Sequence, residues 1–384
     1  MAGHGTICDF DLHGIVGVRL LDATSRDVAT VTRQLGPLRG VLDREPDLTV
    51  RFVDRATSEP LTYVGVGKTG FNSDGFFVLR GRHGVPGRAL LPMAGIGARP
   101  QILCERALPA VPHLLALVNL TALAKGVLPL HASAFCAGDR GVLVTGWAKS
   151  GKTESLLAGL GDGVRYVADE WVYLTPDGRM CGVPEPIRLW AWHLDQLPAV
   201  LRSRPRADRL RLAGWRAAAA LARTGARGRL PGADLLRRGA DLLDRQAYLQ
   251  VPPAELFGAA AMLPTARLDS VVLLLSREAD EITVSPAGPR EVSGRMAASL
   301  ADERAPFLED YRQFRYAFPD QTSPLVETAA EREARLLGAL LDGRPAARVA
   351  HPYPCDLAQL GAAVRRAALD VPAAGRVRDE VPVR

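Results

Sequence analysis

The chain has 384 residues, 47% of them hydrophobic and 23% charged, with a formal net charge of +6. Those proportions belong to an ordinary globular protein, long enough for two domains or for one elaborated domain with a large core. The mild positive charge suits a phosphate-bearing ligand, but no compact Lys/Arg run interleaved with aromatics is present, so nucleic acid is not an expected partner.

The first hundred residues alternate or cluster apolar positions between turn residues. "GIVGVRLL" (14–21), "LTVRFVD" (48–54), "LTYVGVG" (61–67) and "GFFVLRGR" (75–82) are strand candidates, so 1–108 is expected to be a β-rich region of unassigned role. An apolar segment from Ala110 to Ala124 suits a buried helix, and "LPLHASAFCA" a strand. "RGVLVTG" (140–146) is almost wholly apolar, as in a strand buried on both faces of a parallel sheet. A helix from Lys152 to about Leu160 and a strand over Val164–Ala168 complete a βαβ unit. Residues 109–370 are therefore expected to form an α/β domain with a mostly parallel central sheet.

An Arg-, Ala- and Leu-rich stretch interrupts that domain at about 198–262. It predicts a helical insertion broken at Gly225, Gly228 and Pro231–Gly232, with its arginines on a solvated face or, alternatively, docking an acidic partner. "DSVVLLLS" (269–276), "DEITVSP" (280–286) and "ARVAHPY" return to strand character, "DLAQLGAAVRRAAL" to helix, and 371–384 is expected to be a mobile tail.

Five cysteines (Cys8, Cys104, Cys136, Cys181, Cys355) form no C-x-x-C pair, which argues against a disulfide framework or zinc site and makes a reducing cytoplasm the expected location. The start "MAGHGTICDFDLHG" lacks the basic and apolar regions of a signal peptide. The longest apolar run, "VPHLLALVNLTALAKGVLPL", is interrupted by Lys125 and Gly126, so no membrane partner is expected.

Only four lysines occur in the chain, and two of them, Lys149 and Lys152, lie in "GVLVTGWAKSGKTESLLAGL". Gly146-Trp147-Ala148-Lys149-Ser150-Gly151-Lys152-Thr153 satisfies G-x-x-x-x-G-K-[ST] at every fixed position. The glycines let successive N–H groups converge on phosphate oxygens, and the following helix aims its positive end at the same place. Lys152 can reach between β- and γ-phosphates, while Thr153 offers a hydroxyl to Mg²⁺. A second Gly-Lys-Thr, Gly67-Lys68-Thr69, has Thr62 in place of the first glycine and no helix start after it; a turn is expected there.

A phosphate loop needs an acid for Mg²⁺ and a base or water-positioning group. "VRYVADEWVYL" puts Asp169 and Glu170 at the end of the next strand, where Asp169 would hold Mg²⁺ or act as base and Glu170 as second acid. The plain alternative is an ordinary Asp-Glu turn. His131, in "LPLHASAF", is by itself more simply a core histidine. No H-E-x-x-H and no G-x-S-x-G occurs.

Together "LHASAF", "GVLVTGWAKSGKTE" and "YVADEWV" resemble the catalytic domain of the HPr kinase/phosphorylase family: a His-bearing strand, a loop ending Gly-Lys-Ser/Thr-Glu, and a strand ending in two acids. The resemblance is clear over about 115–195. It implies a P-loop kinase-like α/β fold, ATP and Mg²⁺ bound by Lys152 and Thr153, Glu154 as part of the loop, Asp169 deprotonating the acceptor or holding the metal, and His131 lining the phosphate site. The acidic pair is Asp-Glu where the family typically has Asp-Asp. The family's downstream glycine-rich signature is not recognisable in "GVPEPIRLWAWHLDQL", with Arg188 the one remnant of its basic element. The expected activity is ATP-dependent phosphoryl transfer to a hydroxyl of a protein, a peptide or a small molecule, as in peptide or natural-product pathways. The alternative is a P-loop ATPase or nucleotide-binding regulator in which Glu170 orients a water.

Overall fold

A computed structural model describes residues 6–65, 67–82, 85–225, 238–240, 242–243 and 246–370. Its first nine strands are β1 (Thr6–Leu12), β2 (Val16–Ala23), β3 (Arg39–Gly40), β4 (Leu48–Val53), β5 (Thr62–Tyr63), β6 (Thr69–Asn72), β7 (Gly75–Arg82), β8 (Val85–Leu90) and β9 (Gln101–Glu105). They form one nine-stranded sheet ordered β3-β1-β2-β4-β9-β8-β7-β6-β5. In β4 the alternation is plain: Leu48, Val50 and Phe52 are buried while Thr49, Arg51 and Val53 point the other way.

Within this region lies a helix that strand patterning alone did not reveal, α1 (Ser25–Leu35), crossing from β2 to its parallel neighbour β4. A capping box starts it. The Asp27 N–H donates to Thr24 Oγ1 at 3.3 Å and the Thr24 N–H donates to Asp27 Oδ2 at 2.9 Å. Gly67-Lys68 is a turn leading into β6, and Lys68 pairs with Glu309 at 3.2 Å.

After α2 (Leu114–Ala124) come β10 (Leu128–His131), β11 (Ser133–Ala137), β12 (Arg140–Gly146), α3 (Lys152–Leu157), β13 (Arg165–Ala168), β14 (Trp171–Leu174), β15 (Arg179–Gly182) and β16 (Ile187–Trp190). Three helices follow, α4 (Ala191–Gln196), α5 (Pro198–Ser203) and α6 (Arg206–Gly225), then β17 (Tyr248–Val251), β18 (Thr265–Arg267), β19 (Ser270–Ser276), β20 (Thr283–Pro286) and β21 (Ala346–His351).

A six-stranded sheet ordered β13-β11-β12-β19-β21-β20 carries the site. It is mixed rather than mostly parallel. Its centre, β12-β19-β21, is parallel, but β13-β11, β11-β12 and β21-β20 are antiparallel. Two reversals restore direction, so β13 runs the same way as β12 and their C-terminal ends share one rim. β12 is buried throughout beyond Arg140, as its apolar run requires.

On one face of this sheet pack α3, the helix Leu357–Asp370 and the apolar residues of the β16-β17 ribbon. On the other lie a four-stranded antiparallel sheet, β10-β14-β15-β18, and the helices Pro289–Ala317 and Ala329–Leu341. The long helix Pro289–Ala317 joins two cores: Val292, Met296 and Leu300 bury there, while Phe307, Tyr311 and Phe314 bury against the nine-stranded sheet.

In the Arg-rich stretch, α6 is described as far as Gly225, the last described residue before 238, and β17 returns to pair with β16. The breaks expected at Gly228 and Pro231–Gly232, and the tail 371–384, lie outside the described residues. All five cysteines are buried and free. Among the described residues no helix is long and apolar enough to cross a membrane.

Candidate active site

The loop between β12 and α3 is held in its turn by glycine chemistry. Lys149 and Gly151 both have positive φ, 63° and 98°. A methyl group at Gly151 would meet His351 Nε2 at 2.8 Å, and one at Gly146 would meet the Leu274 carbonyl at 2.6 Å. These close approaches are available only to a residue without a Cβ. His351, fully buried at the end of β21, holds the loop from below, its Nε2 2.7 Å from the Ser150 carbonyl. Ser133 and Ser155 both donate their hydroxyls to the Lys152 carbonyl, at 3.0 and 2.7 Å, which secures the first turn of α3.

Lys152 is 7% exposed, and its ammonium donates to the Trp147 carbonyl at 2.9 Å and the Gly146 carbonyl at 3.3 Å. Burial pulls its pKa below the usual lysine value, against the opposing pull of Glu170, Asp169, Glu303 and Glu154. The Thr153 hydroxyl donates to Asp169 Oδ2 at 2.9 Å, so loop and strand end meet as the shared rim predicts. The Asp169 N–H donates to the Tyr166 hydroxyl at 2.9 Å. Burial, reinforced by the neighbouring Glu170 charge, pushes the Asp169 carboxyl up to about 7.

Glu170 differs sharply from its neighbour. It has a positive φ of 76°, its side chain is 53% exposed, and its Oε2 lies 3.0 Å from His131 Nε2. That hydrogen bond holds its carboxyl below the usual range. His131 is placed by the β10-β14 pairing, which sets it opposite Trp171. Its ring stacks on Trp171 at 5.8 Å, and its Nδ1 faces the Glu303 carboxylate. Burial opposes a charge on His131, but the hydrogen bonds to Glu170 and Glu303 outweigh it and raise the imidazole to about 9. Two adjacent carboxylates therefore have opposite characters, one poised to exchange a proton near neutrality and one held ionised.

Ala148, Lys149, Gly151, Lys152, Thr153, Glu154, Asp169, Glu170 and His131 all line one cavity of about 990 Å³. Gly146 and Trp147 instead border a separate small cleft, and Ser150 is buried beneath the loop with its hydroxyl unpartnered. Glu154 is tied down: the Trp190 N–H donates to His193 Nδ1 at 3.1 Å, which leaves Nε2 to donate to Glu154 Oε1 at 3.1 Å.

Several contributors carried no signal as motifs. Glu303 comes from the long helix, Glu185 from the loop before β16, and His193 from α4. Burial pushes the Glu185 carboxyl up to about 8, and its Oε1 is buried without a partner. The Arg-rich helix α6, expected to present a solvated face, also gives Arg216, Ala217, Ala220 and Arg223 to the cavity wall. His/Cys/Asp/Glu trios fit to hold a metal are absent among the described residues. The Thr153 hydroxyl and Asp169 carboxylate are a different donor set, of the kind that holds Mg²⁺ together with phosphate oxygens and water.

No protein-family model matches the chain, and no curated protein matches it either. Among solved structures, it is similar to the Hpr(Ser) kinase/phosphatase from Coxiella burnetii, with 14% identity, a TM-score of 0.18, and a match covering 50% of this chain and 98% of that one.

Proposed function

We propose that the chain is an ATP- and Mg²⁺-dependent phosphotransferase that passes the γ-phosphate to a hydroxyl. The observation that carries this is the meeting of Thr153 and Asp169 at 2.9 Å beside Lys152, on the wall of a large cavity. The positive φ of Gly151 and the close approach of His351 and Leu274 to the two glycines fold the loop tightly, the kind of turn whose N–H groups can face phosphate oxygens, and the Ser150 hydroxyl beneath it is unpartnered. Thr153, with phosphate oxygens and water, would hold Mg²⁺, which when bound neutralises phosphate charge; holding the metal and serving as base are alternative roles for Asp169, and we propose the second. Lys152 would exchange its loop carbonyls for the β- and γ-phosphates. Asp169, with a carboxyl near 7, would take the acceptor's proton as its oxygen attacks the γ-phosphorus and ADP leaves. Glu170, ionised and half exposed, orders the acceptor side, and His131 fixes it there.

A second reading rests on the same exposed, ionised Glu170: it would orient a water, and the chain would be an ATPase or nucleotide-dependent regulator. Turnover with and without hydroxyl acceptors separates the two. Phosphoryl transfer that displaces hydrolysis supports the kinase; hydrolysis indifferent to every acceptor supports the ATPase.

A further inference from the structure

One guanidinium in the cavity is oriented but unspent. Arg188, in β16, is exposed and lines the cavity. Its Cζ lies 4.9 Å from the centroid of Tyr248 and 5.7 Å from that of Trp190, rings paired across the β16-β17 ribbon. A cation–π contact uses the guanidinium's charge without a hydrogen-bond acceptor, so its N–H donors remain available as a fork that matches a carboxylate or phosphate. Among the described residues no carboxylate is ion-paired to Arg188, whereas Arg216 on the same cavity wall is already held by Asp195 at 2.8 and 3.1 Å. Arg188 lines the same cavity as Asp169 and Glu170. The loop N–H groups and Lys152 already answer the charge of a triphosphate.

Resting on the phosphotransferase reading, we infer that the acceptor is a small alcohol bearing its own oxyanion, a carboxylate or a phosphate, and that Arg188 grips that oxyanion beside Glu170. Its hydroxyl oxygen then bonds to the γ-phosphorus, the bond to ADP breaks, and the hydroxyl proton passes to Asp169. Arg188, held against Tyr248 and Trp190, provides specificity because a bound neutral analogue would leave its fork unpaired.

The test uses the full chain with labelled ATP, Mg²⁺ and matched acceptors: L-serine against L-serinamide, D-glycerate against glyceramide, and sn-glycerol 3-phosphate against glycerol. ATP affinity is measured separately by calorimetry. In at least one pair the anionic member is expected to be favoured by about tenfold or more in kcat/KM, as for a charge-assisted hydrogen bond. Arg188→Gln should erase that preference through KM and leave ATP affinity unchanged, and Arg188→Lys should restore part of it. The serine and glycerate pairs report a carboxylate, the glycerol pair a phosphate. Neutral members that match their partners, or ATP turnover with no anionic member accepted, would overturn the inference. So would Arg188→Gln weakening ATP itself, which would assign the guanidinium to the nucleotide. A wild-type chain that binds no ATP instead refutes the nucleotide site, before acceptors enter.

Discussion

Replacing Asp169 by asparagine should stabilise the ligand-free protein while abolishing phosphoryl transfer. The carboxamide can still accept the Thr153 hydroxyl at the position of Oδ2, so the local contact survives. What it removes is a buried charge. A carboxyl raised from 3.8 to about 7, at ~1.4 kcal/mol per unit, costs the native state about 4 kcal/mol once ionised. The sign follows from proton counting. Between 3.8 and about 7 the native state keeps a proton the unfolded chain has released, so wild-type stability falls as pH rises and levels off above that window. The gap in favour of Asp169→Asn should therefore grow from about 2 kcal/mol at pH 5 to about 4 kcal/mol at pH 8, as upper bounds. Any fixed cost of burying the amide cancels in that difference. Urea denaturation of both proteins at the two pH values reads it directly. A gap that is the same at pH 5 and pH 8 would refute the account of Asp169.

Gly151→Ala should destabilise the protein by about 2 kcal/mol and abolish nucleotide binding, because its φ of 98° and the His351 ring both exclude a methyl group; unchanged melting and binding would contradict the loop geometry. His131→Gln should cost about 2 kcal/mol at neutral pH, since it leaves Glu170 and Glu303 without their cation. The His131 contribution is full below about 6.5 and lost as pH rises through about 9, so the melting difference between wild type and variant should close at high pH. A difference that persists at pH 10 would contradict it.

The parts of the site that were legible in the sequence are those whose chemistry is local. Gly146 to Thr153 are contiguous, and Asp169 and Glu170 follow one helix later, so spacing alone brought them together. The rim they share was also legible, although through the wrong topology: a parallel neighbour was expected, whereas two antiparallel steps through β11 achieve the same direction. Glu303 and His351 were not legible because they arrive from elements more than a hundred residues downstream, with no motif around them. In α6 the arginines were expected to be a solvated face because charge runs usually are. Whether such a helix roofs a cavity depends on how it packs back on the sheet, which periodicity does not encode. Helix α1 lies within the stretch read only as strands, and the Thr24–Asp27 capping box that starts it played no part in that reading.

The central claim is tested most directly by Mg²⁺-dependent ATP binding to the purified chain and to Lys152→Ala. Wild type should bind, and loss of the buried ammonium should weaken binding by about tenfold to a hundredfold, the worth of a charge-assisted hydrogen bond. Equal affinity in the two proteins, or no binding by wild type, would contradict the assignment of this loop as a phosphate cradle.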